Sequence, residues 1–147
     1  MRILGLDLGT KTLGVAISDP SELIATGLTT IRFAENSYKD SLNELKGIIE
    51  EYNVKAIVIG LPKNMNNSLG FAAQRTKEFE TILEEEFKLP IFEQDERLTS
   101  VTANNILLQA DVSRKKRKDK VDTIAATIIL QNYLDIRKGM IKWTIMK

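Results

Sequence analysis

Apolar and polar positions along the chain alternate between strand-like and helix-like spacing. Met1 to Leu8 is apolar except at Arg2 and Asp7, and the apolar pattern resumes over Leu13 to Ile17 after a break at Gly9-Thr10-Lys11. Two strands joined by a short glycine-containing turn are predicted. Ser18-Asp19-Pro20 ends the second strand, and a third is expected over Leu28 to Ile31. Ser37 or Asp40 then caps a helix whose apolar positions Leu42, Leu45, Ile48 and Ile49 follow three-and-four spacing, ending near Tyr52-Asn53.

The run Lys55 to Gly60 is β-branched and almost wholly apolar, the pattern of a strand buried on both faces. A polar loop over Lys63 to Ser68 leads into a second helix through about Phe87, with Phe71, Arg75, Phe79, Ile82 and Leu83 as its stripe. A strand starting at Pro90-Ile91-Phe92 runs into Gln94-Asp95-Glu96-Arg97, followed by a helix from Thr99 or Ser100 to Gln109. A last helix covers Asp119 to about Ile136. Short turns between early strands imply antiparallel pairing, and helical crossovers later imply parallel pairing. The expected fold is therefore α/β, a mixed β-sheet flanked by α-helices. Residues 1–138 are expected to form one domain and 139–147 a tail, either an extra strand or a frayed end.

Composition narrows the chemistry mainly through what it lacks. The 147 residues include no Cys and no His, which removes thiol and imidazole nucleophiles, Ser-His-Asp triads and nitrogen- or sulfur-rich zinc and copper sites. Any metal held by side chains here takes oxygen ligands, which suits Mg²⁺ or Mn²⁺. The short apolar start does not read as a signal peptide and no stretch is long enough to span a bilayer, so a cytoplasmic protein without membrane contact is expected. The net charge of +1 conceals an uneven distribution. Arg114 to Lys120 holds six basic residues and one acidic; the remainder holds 15 basic and 19 acidic, so the window is +5 and the rest −4. Polyanion contact is then local to that window, although such a run also fits a solvated loop.

Three carboxylates stand out. Asp7 interrupts an apolar strand, where an unpartnered charge is costly, so it either serves a site or closes the following turn. Asp95 and Glu96 fall at the carboxyl end of a predicted parallel strand, where α/β sheets place their sites. Alternation puts Phe92, Gln94 and Glu96 on one side and Glu93 and Asp95 on the other, so only one of the two acids can join Asp7. Glu96 is favoured and Asp95 remains open; the pair could also be a surface turn. Asp122 begins a stripe through Ala125, Ala126, Ile129 and Tyr133 whose small residues permit close approach to the sheet. It also suits the first helical turn below a cap at Asp119. Three remote acids without His or Cys suggest a hard-cation site for phosphodiester hydrolysis, with Lys11 and Arg97 placed to meet phosphate.

These motifs converge. Leu6-Asp7-Leu8-Gly9-Thr10-Lys11, Ile59-Gly60-Leu61-Pro62 with Asn64-Met65, Asp95-Glu96-Arg97-Leu98-Thr99, and Arg114-Lys115-Lys116 before Val121-Asp122-Thr123-Ile124-Ala125-Ala126 resemble the YqgF family. That family is related to RuvC Holliday-junction resolvases and is associated with pre-16S ribosomal RNA maturation. The resemblance runs from Arg2 to about Asp135 and rests on the order and spacing of the motifs together. It implies a ribonuclease-H-like fold, Mg²⁺ or Mn²⁺, and catalytic and metal-binding acids at Asp7, Glu96 and Asp122. Substrate contacts are expected from Lys11, Lys63, Asn64 and Arg97, and from the basic residues Arg114, Lys115, Lys116, Arg117 and Lys118. One departure is Asn66-Asn67 where Asp-Gly is the expected pair, which removes any bond that acid would make. Asp119 stands three residues before Asp122 as a possible further acid.

The resemblance implies a nuclease acting on structured RNA, most simply the pre-16S rRNA end, as a monomer or homodimer. The alternatives are a resolvase of four-way DNA and, in another class, a non-catalytic RNA-binding assembly factor that works through the Arg114 to Lys118 run.

Overall fold

A computed structural model describes residues 1–62, 70–95 and 123–137. Five strands form one mixed sheet: β1 (Arg2–Leu8), β2 (Thr12–Ser18), β3 (Ala25–Arg32), β4 (Val54–Leu61) and β5 (Ile91–Asp95), in the order β3-β2-β1-β4-β5. The β1–β2 and β2–β3 pairs are antiparallel, and β1–β4 and β4–β5 are parallel, as the short early turns and later helical crossovers predict. Helices α1 (Leu42–Glu51) and α2 (Phe71–Phe87) connect the parallel strands, and residues 123–137 form a third helix, α3. The helix expected after Thr99 and the tail from 139 lie outside the described residues.

Strand alternation divides the core. Leu4, Leu6 and Leu8 of β1 join Leu13, Val15 and Ile17 of β2 and Ile57 and Ile59 of β4 beneath α1 and α2, where Leu45, Ile48, Phe79 and Leu83 meet them. The opposite face presents Ile3, Ala16 and Val58 to Ala126, Ile129, Leu130 and Leu134 of α3. β1 and β4 are thus covered on both sides, which accounts for their near-continuous apolar sequence.

Gly5 sets how closely α3 sits. A Cβ built on it would lie 2.7 Å from Leu130 Cβ and 3.2 Å from the Ala126 carbonyl oxygen. Such spacing leaves no room for a side chain.

Several local expectations change. β3 begins at Ala25, three residues earlier than its apolar residues suggested. The Asp19 carboxylate accepts bonds from the Ser21, Leu23 and Ile24 N–H groups, and the Gln131 side chain of α3 accepts from Ala25 N–H (2.8 Å). These bonds order the loop so that pairing starts directly at Ser18–Ala25. The same backbone donors to Asp19 hold its carboxyl below the usual range. Neither Ser37 nor Asp40 caps α1 through its side chain: a 3₁₀ turn over Tyr38–Ser41 feeds the helix, and Ser41 Oγ donates instead to the Tyr38 carbonyl oxygen (2.6 Å). On α2 the buried residues are Ala73, Thr76, Phe79 and Leu83, while Phe71, part of the expected stripe, is the first residue of the helix and is 87% exposed.

Candidate active site

Asp7 lies one residue before the end of β1, on the face that carries Ile3 and Gly5 and therefore α3. It is 9% exposed, among few buried polar residues. The turn after it is closed by the main chain, with Gly9 N–H donating to the Thr12 carbonyl oxygen (2.8 Å).

The sheet register places specific residues beside Asp7. Gly14 of β2 is paired directly with it, and Thr30 of β3 is paired with Gly14. On the other side Leu6 pairs with Ile59, so Gly60 comes next, and Gly60 pairs with Gln94 of β5. One row across the sheet thus reads Thr30, Gly14, Asp7, Gly60, Gln94. Both in-register neighbours of the carboxylate are glycines.

α3 is aimed at that row. Thr123, its first described residue, has Oγ1 2.6 Å from Thr30 Oγ1. The helix then crosses Gly27, where a Cβ would be 2.5 Å from Thr123 Cγ2, and Gly5. It is fastened at its far end by Gln131, which donates to the Leu23 carbonyl oxygen (2.9 Å), and by Arg137, whose Nη1 is 3.3 Å from Glu22 Oε1. Lys55 completes that cluster at 2.6 Å from Glu22. These two cations hold the Glu22 carboxyl below its usual range against the opposing effect of burial. The N-terminal end of the described helix, immediately after Asp122, is therefore at the level of Asp7.

β5 is oriented from both sides. The Phe92 ring stacks on Tyr133 of α3, with centroids 5.6 Å apart and planes at 25°. Glu93 forms an ion pair with Lys77 of α2. Alternation then sets Gln94 on the Asp7 face and Asp95 on the opposite one. Of the two adjacent acids, Asp95 is thus on the wrong face to join Asp7. Beneath β5 burial, together with Glu93, raises the half-buried Glu80 carboxyl to about 8.

Of the residues expected to touch substrate, Lys11 is exposed on the turn directly after β1. Lys63, Asn64, Glu96, Arg97, Arg114, Lys115, Lys116, Arg117, Lys118, Asp119 and Asp122 lie outside the described residues. Among the described residues no three acids gather in a way that could hold a metal ion. Gln94, Thr30, Gly14 and Gly60 were not anticipated as neighbours of Asp7. Glycines inside the strand patterns were the available signal; the pairing register was not.

The sequence profile described as "RuvX: Holliday junction resolvase" matches residues 1–136. The chain belongs to the RuvX family. This is the family that the YqgF resemblance indicated. Relatives within it are close: a protein of Thermoanaerobacter pseudethanolicus is 53% identical over 95% of this chain and 99% of its own length. One of Geobacillus sp. is 51% identical over 94% of this chain and its whole length. Both carry the name "Putative pre-16S rRNA nuclease". Solved structures share the fold at low identity. Thermus thermophilus RuvC matches with a TM-score of 0.53 at 14% identity, covering 95% of this chain and 97% of that one. Fowlpox virus resolvase, in a complex with Holliday junction DNA, matches at 0.56 and 12%, covering 92% and 97%. The RuvX chain thus has the ribonuclease-H-like fold, a mixed sheet with helices on both faces.

Proposed function

We propose that this RuvX-family protein is a metal-dependent nuclease that hydrolyses phosphodiester bonds of structured nucleic acid, with the pre-16S rRNA end as its substrate. The observation that carries this reading is the position of Asp7: a buried carboxylate between two glycines, on the sheet face that receives both Gln94 and the start of α3. In the sequence Glu96 directly follows β5 and Asp122 directly precedes α3, which supports taking both with Asp7 as the acids of the site. The nuclease unit is residues 1–138, in keeping with a family match that ends at 136.

The donor set fits a hard cation. Asp7 offers carboxylate oxygens flanked in register by two glycines, and no imidazole or thiol exists anywhere in the chain. Asp7, Glu96 and Asp122 would hold Mg²⁺ or Mn²⁺, which supplies activation of the attacking water and neutralisation of the phosphate. Lys11 meets a neighbouring phosphate as a point charge, and Arg97 does so through its fork. Arg114, Lys115, Lys116, Arg117 and Lys118 supply local attraction for the polyanion, and Lys63 and Asn64 add contacts to it.

Labelled pre-16S rRNA incubated with purified protein and Mg²⁺ or Mn²⁺ tests the reading. Cleavage by the parent and its loss in Asp7→Asn, with unchanged thermal stability, is the expected outcome; no cleavage with either ion overturns it. The family's description as a Holliday junction resolvase favours a second reading, on four-way DNA. Paired symmetric cuts then need a two-fold dimer. Four-way junctions in the same assay, with sedimentation at the assay concentration, decide between the substrates. A phenotype that survives Asp7→Asn but not charge reversal of the basic run would instead indicate a non-catalytic RNA-binding factor.

A further inference from the structure

Phe71 is 87% exposed, the most exposed large apolar side chain among the described residues. It opens α2, and Gln74, Arg75 and Glu78 follow it at three, four and seven residues, so these side chains share one helix face. That face meets Asn36 and Tyr38, and together the six line an open cavity of about 350 Å³. Its size falls within the range of small-ligand sites.

The cavity adjoins the end of the sheet where Asp7 lies. Asn36 N–H donates to the Thr10 carbonyl oxygen (2.7 Å) and Phe33 N–H to that of Lys11 (3.0 Å). The wall at Asn36 is thereby tied to the turn that follows Asp7. Asp7 is two residue steps, about 7 Å, before Gly9, with its side chain on the α3 face and the cavity on the α2 face of the same end of the sheet. Lys11 is exposed on that turn, and Arg75 stands in the wall, its Nε buried and without a hydrogen-bond partner among the described residues. Glu78, the one carboxylate of the lining among the described residues, accepts a bond from the Tyr38 hydroxyl, and burial together with that bond raises the hydroxyl to about 12.

We propose that this cavity is a subsite for an unpaired base of the nucleic-acid substrate, stacked on Phe71, with Arg75 and Lys11 meeting its flanking phosphates and the Asn36 and Gln74 amides meeting its edge. An exposed aromatic ring next to cations is the arrangement by which single-stranded nucleic acid is held without reading its sequence. Amides add donors and acceptors in one plane, suited to base edges. The proposal rests on the nuclease reading for its substrate, and it deepens that reading by assigning a single-stranded segment to the α2 face at the end of the sheet where Asp7 lies.

Binding of a fluorescein-labelled single-stranded oligoadenylate RNA, measured by anisotropy in EDTA on an Asp7→Asn background, tests it. Phe71→Ala weakens binding about tenfold. Phe71→Trp retains the affinity and Phe71→Leu does not, with unfolding temperatures unchanged in all three because the ring is exposed. Equal affinity of the Ala variant, or full affinity of the Leu variant, overturns the proposal; the first result leaves a protein ligand for the surface. Absence of any binding by the Asp7→Asn protein also overturns it. The readout needs neither metal nor cleavage, so a parent that binds through Phe71 yet cuts nothing sinks the nuclease reading alone. A parent that cuts but is indifferent to Phe71 sinks the subsite alone.

Discussion

Phe92 of β5 stacks on Tyr133 of α3 with ring centroids 5.6 Å apart, and this contact settles which face each side chain of β5 shares with Asp7. Residues 92 and 94 look toward α3, and 93 and 95 toward α2, where Lys77 holds Glu93.

The adjacent acids should therefore separate cleanly in assay. Glu96→Gln is expected to lower nucleolytic rate by more than about a hundredfold, beyond the usual effect of disturbing a metal site's supporting residues. Asp95→Asn should retain most of the parent rate. Single-turnover cleavage of the same RNA by both variants checks this, and an equal loss in the two would remove the face argument.

Close approach of α3 to the sheet gives a stability prediction with an internal control. Gly5→Ala inserts a methyl group 2.7 Å from Leu130 Cβ and should cost about 1–3 kcal/mol through overpacking. Gly47, exposed within α1, has nothing within 4 Å of the added Cβ. Gly47→Ala should stabilise by about 0.5–1 kcal/mol. Urea unfolding of the two variants reads both signs.

The contact between α2 and β5 predicts a pH dependence. Burial, and then Glu93, raise Glu80 from 4.5 to about 8. Between those values the folded protein binds more protons than the unfolded chain, so this contribution to stability is complete below about pH 4.5 and is lost as pH rises through 8. Glu80→Gln, which stays neutral, should melt higher than the parent at pH 9 and show a flatter profile between pH 5 and 9. A parent and variant with parallel profiles over that range would contradict the assignment.

Salt should report on the basic run. Replacing Arg114, Lys115, Lys116, Arg117 and Lys118 with Ala should weaken RNA binding and make its logarithmic salt dependence shallower, by about one unit for each phosphate no longer neutralised. An unchanged slope would mean that the run is a solvated loop.

Much of this fold can be read from period alone. The apolar runs of β1 and β4 announce strands covered on both faces, and the turn at Gly9 with the later helical crossovers dictates a mixed sheet. Local boundaries depend instead on bonds between distant residues. Ala25 starts β3 because Gln131, 106 residues later, accepts its N–H, and no local pattern encodes that. The exposure of Phe71 is likewise not encoded locally: its spacing fits the stripe of α2, but the helix begins there and leaves the ring 87% exposed while Ala73 in the same turn is buried. At the site, Asp7 and the facing of Gln94 were legible from alternation. The row joining Thr30, Gly14, Asp7, Gly60 and Gln94 was not, since pairing register is a tertiary property.

A crystal soaked in Mn²⁺ and examined by anomalous diffraction addresses the assembly of the site most directly. The expected map has an ion coordinated by Asp7, with Glu96 and Asp122 on the same sheet face contributing their oxygens. A map without an ion there, in which the Asp7 carboxylate binds only the main chain of its own turn and the other two acids point elsewhere, would contradict the account.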